Sequence, residues 1–299
     1  MRARLLPSLA LVGLALTFFG ALARHPTWVL YSDGSDLLGL HIPIERFLIH
    51  SWRATGELPL WCPDRFGGSP FLHDLQVAAF YPPHLILYAL PETAIGPALS
   101  WLVVAHVIVA GLGMHAYARS RGLTRRGAFV AALGFMFSGK WMLHLLGGGH
   151  YMTVGLAWLP VVLLLIESAI RRRSLLRATW AGTAFALLAL GTHPQWTLYA
   201  GLFLAFWTLG TALEAAGYWR ASRPGHLLVR GSVTRPIGAW LACGACAATV
   251  AVLLVAVQLV PGIEAAGQAT RSVVGTPGMA LSRLPMTLFS LVGPPARGM

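Results

Sequence analysis

Two aspartates three residues apart, Asp33 and Asp36, sit in the run Tyr31-Ser32-Asp33-Gly34-Ser35-Asp36 just after the first apolar segment of a 299-residue chain. Gly34 and the neighbouring serines permit a tight turn that presents both carboxylates together. Carboxylates so placed can take a proton from a hydroxyl, or they can cap the helix that follows. They form the candidate catalytic pair. A further acid, Asp74, stands with Gln76 in His73-Asp74-Leu75-Gln76 and offers a contact for a polar acceptor or a divalent cation; its plainer role is a solvated loop acid. Lys140, His150, His193 and Gln195 complete the candidate substrate-binding set. The histidines also suit helix ends and interfacial water, and Lys140 also suits snorkelling to lipid headgroups. No spacing among them defines a metal site, so the metal is left open, with a divalent cation as the cofactor to consider.

The elements that must position these groups are membrane helices. Hydrophobic residues make up 56% of the chain and charged residues 11%, with a mean hydropathy of +0.66. Such a composition excludes a water-soluble domain. The net charge of +12 does not point to nucleic acid, because the basic residues flank apolar segments at intervals instead of covering one solvated face. Fourteen of the 22 basic residues fall into four clusters: Arg2 and Arg4; Arg119, Arg121, Arg125 and Arg126; Arg171 to Arg173 with Arg177; and Arg220, Arg223, Arg230 and Arg235. They occupy every second gap. Short loops rich in Lys and Arg stay cytoplasmic, so these gaps mark the inner face, with the N-terminus inside.

A helix needs about 20 largely apolar residues to cross the hydrocarbon core. Seven segments qualify: Leu5 to Ala23, Pro97 to Ala118, Gly127 to Leu146, Met152 to Ile170, Leu175 to Gly191, Trp196 to Ala216, and Ile237 to Val260. The expected fold is an all-α bundle of about seven spans in one transmembrane module. The first segment also resembles a signal peptide ending at Ala21-Leu22-Ala23, but its length favours an uncleaved anchor. Val77 to Leu90 carries Pro82-Pro83 and is expected to be interfacial or re-entrant. Gly111 and Gly113 are expected at close helix contacts.

The stretch 24–96 is too long for a simple connector and becomes the first extracytoplasmic loop. After Pro43, Ile44, Phe47, Leu48 and Trp52 recur at helical spacing, while Glu45, Arg46, His50 and Arg53 fall elsewhere around the axis. The pattern predicts an amphipathic helix, ended by Gly56 and lying in the interface with its apolar side toward lipid.

Asp33 to Asp36, Leu-Pro-Leu-Trp and Phe-Gly-Gly-Ser-Pro-Phe within 58–71, Phe80-Tyr81-Pro82-Pro83, Gly149-His150, Trp158-Leu159-Pro160 and His193-Pro194-Gln195 resemble, in this order, bacterial YfhO-like membrane proteins. The resemblance covers nearly the whole chain and implies the C-type (GT-C) glycosyltransferase superfamily. YfhO-like chains are usually longer, so the sequence resembles their N-terminal portion. The resemblance implies transfer of a sugar from a polyprenyl-phosphate donor to an envelope glycopolymer or glycolipid at the outer face of a bacterial cell membrane. It also implies an acidic residue in the first outer loop, followed by apolar residues as Asp36 is by Leu37 and Leu38. That residue would act as general base, with Asp33 beside it, and the transfer would invert the anomeric centre. His150, His193, Lys140 or a metal would stabilise the departing lipid phosphate.

Other motifs carry less. Gly134 to Lys140 fits the start of a phosphate-binding loop, but Trp141 replaces the required Ser or Thr inside an apolar segment. Cys243 and Cys246 lie in an apolar helix and Cys62 is alone, so neither zinc nor a disulfide framework follows. A transporter of a lipid-linked substrate is the alternative from another class; it would place charges near the midplane, whereas the conspicuous polar groups cluster at one face and His106 and His115 are the only ionisable residues well inside the second span. A noncatalytic subunit of an envelope-polysaccharide assembly complex is the third, and it would tolerate loss of both Asp33 and Asp36.

Overall fold

The computed structural model describes residues 2–32, 35–65, 67–74, 76–146, 154–216 and 234–268. Among them the chain is mostly helical: α1 (Arg2–Phe18), α2 (Gly20–Arg24), α3 (Ile42–Thr55), α4 (Glu92–Ser120), α5 (Arg125–Met136), α6 (Gly139–Leu146), α7 (Leu159–Arg172), α8 (Leu175–Leu190), α9 (Pro194–Ala215) and α10 (Thr234–Gln268). Four helices are long and apolar enough to cross a membrane, namely Glu92–Ser120, Val154–Arg172, Pro194–Glu214 and Arg235–Ala265; Leu6–Phe18 and Leu175–Leu190 are apolar but shorter. The described chain is thus mostly helical and carries four candidate membrane-spanning helices.

Local chemistry sets the boundaries. Thr124 caps α5 by accepting the Gly127 N–H at 3.1 Å, and Ser174 caps α8 through the Arg177 N–H at 3.4 Å. Pro194 opens α9 at a position where its missing N–H costs nothing. Gly56 ends α3 in the left-handed region at φ 73°, which a side chain would strain. The segment 127–146 is not one continuous helix: α5 stops at Met136, and α6 starts at Gly139 after Phe137 and Ser138. Gly and Ser at this point weaken helix propagation.

Helix α4 is the centre of the bundle and packs on α1, α3, α5 and α7. Its glycines permit close approach, since a Cβ on Gly111 would lie 2.6 Å from the Met136 sulfur and one on Gly113 would lie 2.9 Å from Val161. The tightest backbone contact joins α8 to α10, where a Cβ on Gly182 would lie 2.4 Å from the Ala247 carbonyl oxygen. Arginine-rich gaps gather at one end of the bundle: Arg121 contacts Glu167 and Glu214, while Arg119 and Arg125 lie beside Pro7. At the other end, Leu30 donates its N–H to Ser100 Oγ, Trp158 reaches Tyr81, and Gln258 reaches the Asp74 carbonyl.

The loop region 24–96 has a core of its own. Ile44 and Leu48 of α3 pack on Cys62, Phe71, Leu72, Val77 and Ala79. A two-residue ladder pairs Trp61 with Pro70 and Cys62 with Ser69, turning through Gly67 and Gly68 at positive φ. The opposite side of α3, Ile42 and Ile49, packs on Leu87, Ile95 and Leu99, which joins the loop to α4. The amphipathic helix therefore buries two faces in protein, and Trp52 is among its exposed apolar residues. Pro82–Ala89 forms a 3-10 helix, as suits a proline-led segment too short to span.

Candidate functional site

Asp36 begins a π-helical turn, Leu37–His41, that runs directly into α3. Its carboxylate does not cap that turn; the Leu37 N–H is accepted by Ser35 Oγ at 3.2 Å instead. The Asp36 side chain is exposed, and among the described residues it forms no ion pair or side-chain hydrogen bond. Asp33 and His150 lie outside the described residues. Lys140 lies on the helix Gly139–Leu146, with its side chain outside the description.

Asp74 is held differently. One carboxylate oxygen accepts the Gln76 N–H at 2.9 Å, and the other lies 2.6 Å from Arg65 Nη1. The Gln76 side chain is exposed beside it. His193 caps α9 through Nδ1, which accepts the Gln195 N–H at 3.1 Å. The Gln195 side-chain amide donates to Tyr199 Oη at 2.8 Å. Among the described residues, no hydrogen bond or ion pair joins Asp36 to Asp74, Gln76, His193 or Gln195, and no group of three or more His, Cys, Asp or Glu is arranged to hold a metal ion.

A buried polar assembly joins α3 to the neighbouring elements. Glu45 Oε1 is 2.7 Å from His84 Nδ1, and both side chains are almost wholly buried. The Tyr81 ring meets the His84 ring edge to face at 5.2 Å. The Tyr81 hydroxyl bonds His106 Nε2 and accepts the Trp158 indole N–H at 2.7 Å. His106 Nδ1 lies 2.6 Å from the Leu102 carbonyl, so Nδ1 carries the proton and Nε2 accepts from Tyr81. Four separate parts of the chain, α3, the Tyr81–His84 corner, α4 and Trp158 just before α7, are thus tied together. Burial pushes the Tyr81 phenol well above its ordinary range despite the Trp158 donor, and burial together with the Glu45 charge pushes Tyr88 up to about 12.

Sequence pattern placed Glu45 off the apolar stripe and so missed its burial. The signal was present in Ile42 and Ile49, which flank Glu45 at helical spacing and mark a second apolar face. A second buried carboxylate, Glu167, was also missed. It accepts from Tyr117 Oη at 2.7 Å, Trp207 Nε1 at 2.8 Å and Thr211 Oγ1 at 3.3 Å, with Arg121 and Arg171 each at 3.3 Å on its other oxygen. This cluster binds α4, α7 and α9 at the arginine end. An apolar cleft of about 490 Å³ lies between α7, α8, α9 and α10, lined by Phe185, Leu204, Trp240 and Ala248 among others; no candidate residue faces it.

Comparison with described protein families, with curated proteins and with solved structures finds no match.

Proposed function

We propose that this chain is a YfhO-like, GT-C-type integral membrane glycosyltransferase that moves a sugar from a polyprenyl-phosphate donor to an envelope glycopolymer or glycolipid, with Asp36 as general base. The observation that carries this reading is the state of the Asp36 carboxylate: it is exposed, it leads a helix, and its capping role is filled by Ser35. A carboxylate held by the fold, as Asp74 is, has its oxygens committed; one left open can accept the proton of an attacking hydroxyl. Asp33 stands beside it in sequence. Asp74, Gln76, Lys140, His150, His193 and Gln195 remain the substrate-contacting set in this proposal, with a divalent cation at the lipid phosphate as a further element.

The topology proposed for it has about seven spans with an inside N-terminus. The gathering of the arginine gaps at one end of the bundle supports this, since such loops are retained on the cytoplasmic side. The pair α5 and α6 counts as one broken span, because their combined length reaches about 30 Å at 1.5 Å per residue. The loop 24–96 then faces outward, where a lipid-borne sugar donor would be presented.

The test is mass spectrometry of envelope glycans from cells lacking the full-length protein, compared with cells carrying Asp36→Asn. A sugar substituent missing from both, with normal protein abundance, supports the enzyme. Full substitution in the Asp36→Asn cells removes Asp36 from the mechanism, and unchanged glycans in both favour the transporter or scaffold.

A further inference from the structure

The cleft of about 490 Å³ between α7, α8, α9 and α10 has no part in the proposed transfer reaction. Its walls are Ile166 of α7, Phe185 of α8, Leu204 of α9 and the α10 face from Trp240 to Val252. The polar side chains in that lining, Thr208 and Trp240, are already committed: the Thr208 hydroxyl donates to the Leu204 carbonyl at 2.6 Å and accepts the Trp240 indole N–H at 2.9 Å. Among the described residues the cleft therefore offers no side chain to hold a charge or a water, and such a space takes an apolar guest. It opens sideways between α9 and α10, where Ala205, Ala245 and Ala248 are exposed along it and Phe206 and Leu253 stand beside it, 74% and 70% exposed. These two helices bury 22% and 11% of their most apolar stretches, against 56% for α4 and for the span ending at Arg172. Gly201 and Thr208 each lie seven residues from an end of α9, about 10 Å, which puts the opening at hydrocarbon depth.

We propose that the cleft holds one acyl chain of a membrane phospholipid. Dimensions decide between a chain and a helix. From Trp240 to Val252 the α10 wall rises about 18 Å at 1.5 Å per residue, so 490 Å³ gives a mean cross-section of about 27 Å². Counting the open mouth as well, 1100 Å³, raises it only to roughly 60 Å². A helix about 10 Å across needs roughly 80 Å². A further membrane helix, from this chain or from a second copy, is thus too wide, whereas an extended hydrocarbon chain fits. Length then selects among lipids. A hydrocarbon core of about 30 Å contains two leaflets of about 15 Å each, so one phospholipid acyl chain matches the cleft, while a polyprenyl tail longer than a leaflet overruns it. The inference concerns the membrane face of the bundle and does not depend on Asp36 or on the proposed transfer reaction.

The test reconstitutes the whole protein in vesicles of palmitoyl-oleoyl phosphatidylcholine, extracts it into detergent and counts retained lipid by native mass spectrometry. Wild-type protein is expected to keep one phosphatidylcholine through washes that strip lipid from the outer helix faces. Gly244→Leu with Ala248→Leu fills the cleft, with open space around a Cβ at Gly244, and should lose that lipid. Gly238→Leu with Ala242→Leu makes the same exchanges on the same helix outside the lining and should keep it. If the first pair fails to accumulate, Ala248→Leu alone, exposed at the mouth, carries the test with its own loss of retained lipid. No retained lipid in the wild type, wild-type retention in the cleft variants, or an equal loss in the control pair overturns the site. A wild-type dimer that the cleft pair abolishes overturns the lipid in favour of a second copy. Displacement of the phosphatidylcholine by equimolar undecaprenyl phosphate overturns the acyl chain in favour of an isoprenoid.

Discussion

The carboxylate of Glu45 and the imidazole of His84 meet at 2.7 Å across 39 residues of sequence, with almost no exposure of either side chain. The pair pins α3 to the 3-10 helix that leads into α4. Removing one partner takes away this buried bond, which costs about 1–3 kcal/mol. His84→Ala and Glu45→Ala are each expected to lower the unfolding midpoint in detergent sharply. The double substitution to an apolar pair should recover part of that loss, and a double-mutant cycle measures the coupling.

Tyr81→Phe should be costly although it deletes a single oxygen. The hydroxyl serves both His106 and Trp158, so its loss strands a buried acceptor and a buried donor at once. A destabilisation of about 1–3 kcal/mol is expected, and Trp158→Phe added to Tyr81→Phe should cost less than the sum of the two. Additive losses would mean that the Tyr81–Trp158 bond contributes nothing.

Alkaline pH should loosen the loop region first. Tyr81 and Tyr88 hold their protons more tightly folded than unfolded, where a tyrosine titrates near 10.0. Their contribution is therefore complete below pH about 10 and declines as pH rises, because the unfolded chain then releases protons that the folded protein retains; for Tyr88 the decline ends near 12. Thermal unfolding followed between pH about 9 and about 11 should show a falling midpoint that Tyr88→Phe makes shallower.

Asp36→Ala and Asp74→Ala should separate cleanly in stability. The first removes an exposed group without a structural partner and is expected to change stability by no more than about 0.5 kcal/mol. The second removes both the Arg65 ion pair and the bond to the Gln76 N–H and should cost about 1 kcal/mol. Equal losses would show that Asp36 has a structural role after all.

Gly182→Val should force α8 away from α10. Even a Cβ at this position would sit 2.4 Å from the Ala247 backbone oxygen, which cannot step aside as a flexible side chain would. Overpacking of about 1–3 kcal/mol is expected, read as a lower midpoint, whereas the same change at Gly134, with open space around it, should be mild.

Sequence pattern alone reached the helical class, the termination of α3 at Gly56 and the close-packing glycines of α4, because each follows from local chemistry: apolar length, a left-handed position, the absence of a Cβ. It did not reach the break between Met136 and Gly139, since the apolar run continues through it and hydropathy does not register a helix interruption. Nor did it reach the Glu45–His84 pair. That contact joins a helix to a proline-led corner 39 residues away, and its partners are chosen by tertiary packing. The different fates of Asp36 and Asp74 were equally hidden, because both are loop acids next to apolar residues, and only the position of Arg65 tells them apart.

The last helix among the described residues, α10, is longer than a membrane crossing needs. Thr234–Gln268 has 35 residues, so at 1.5 Å per residue it measures about 50 Å against roughly 30 Å of hydrocarbon. Its Gln258 end lies against the Asp74 carbonyl, so the surplus rises alongside the 24–96 region. That region is therefore flanked on one side by the last turns of α10, where Pro261 removes one helical hydrogen bond and leaves a point of bending well beyond the tight contact at Gly182.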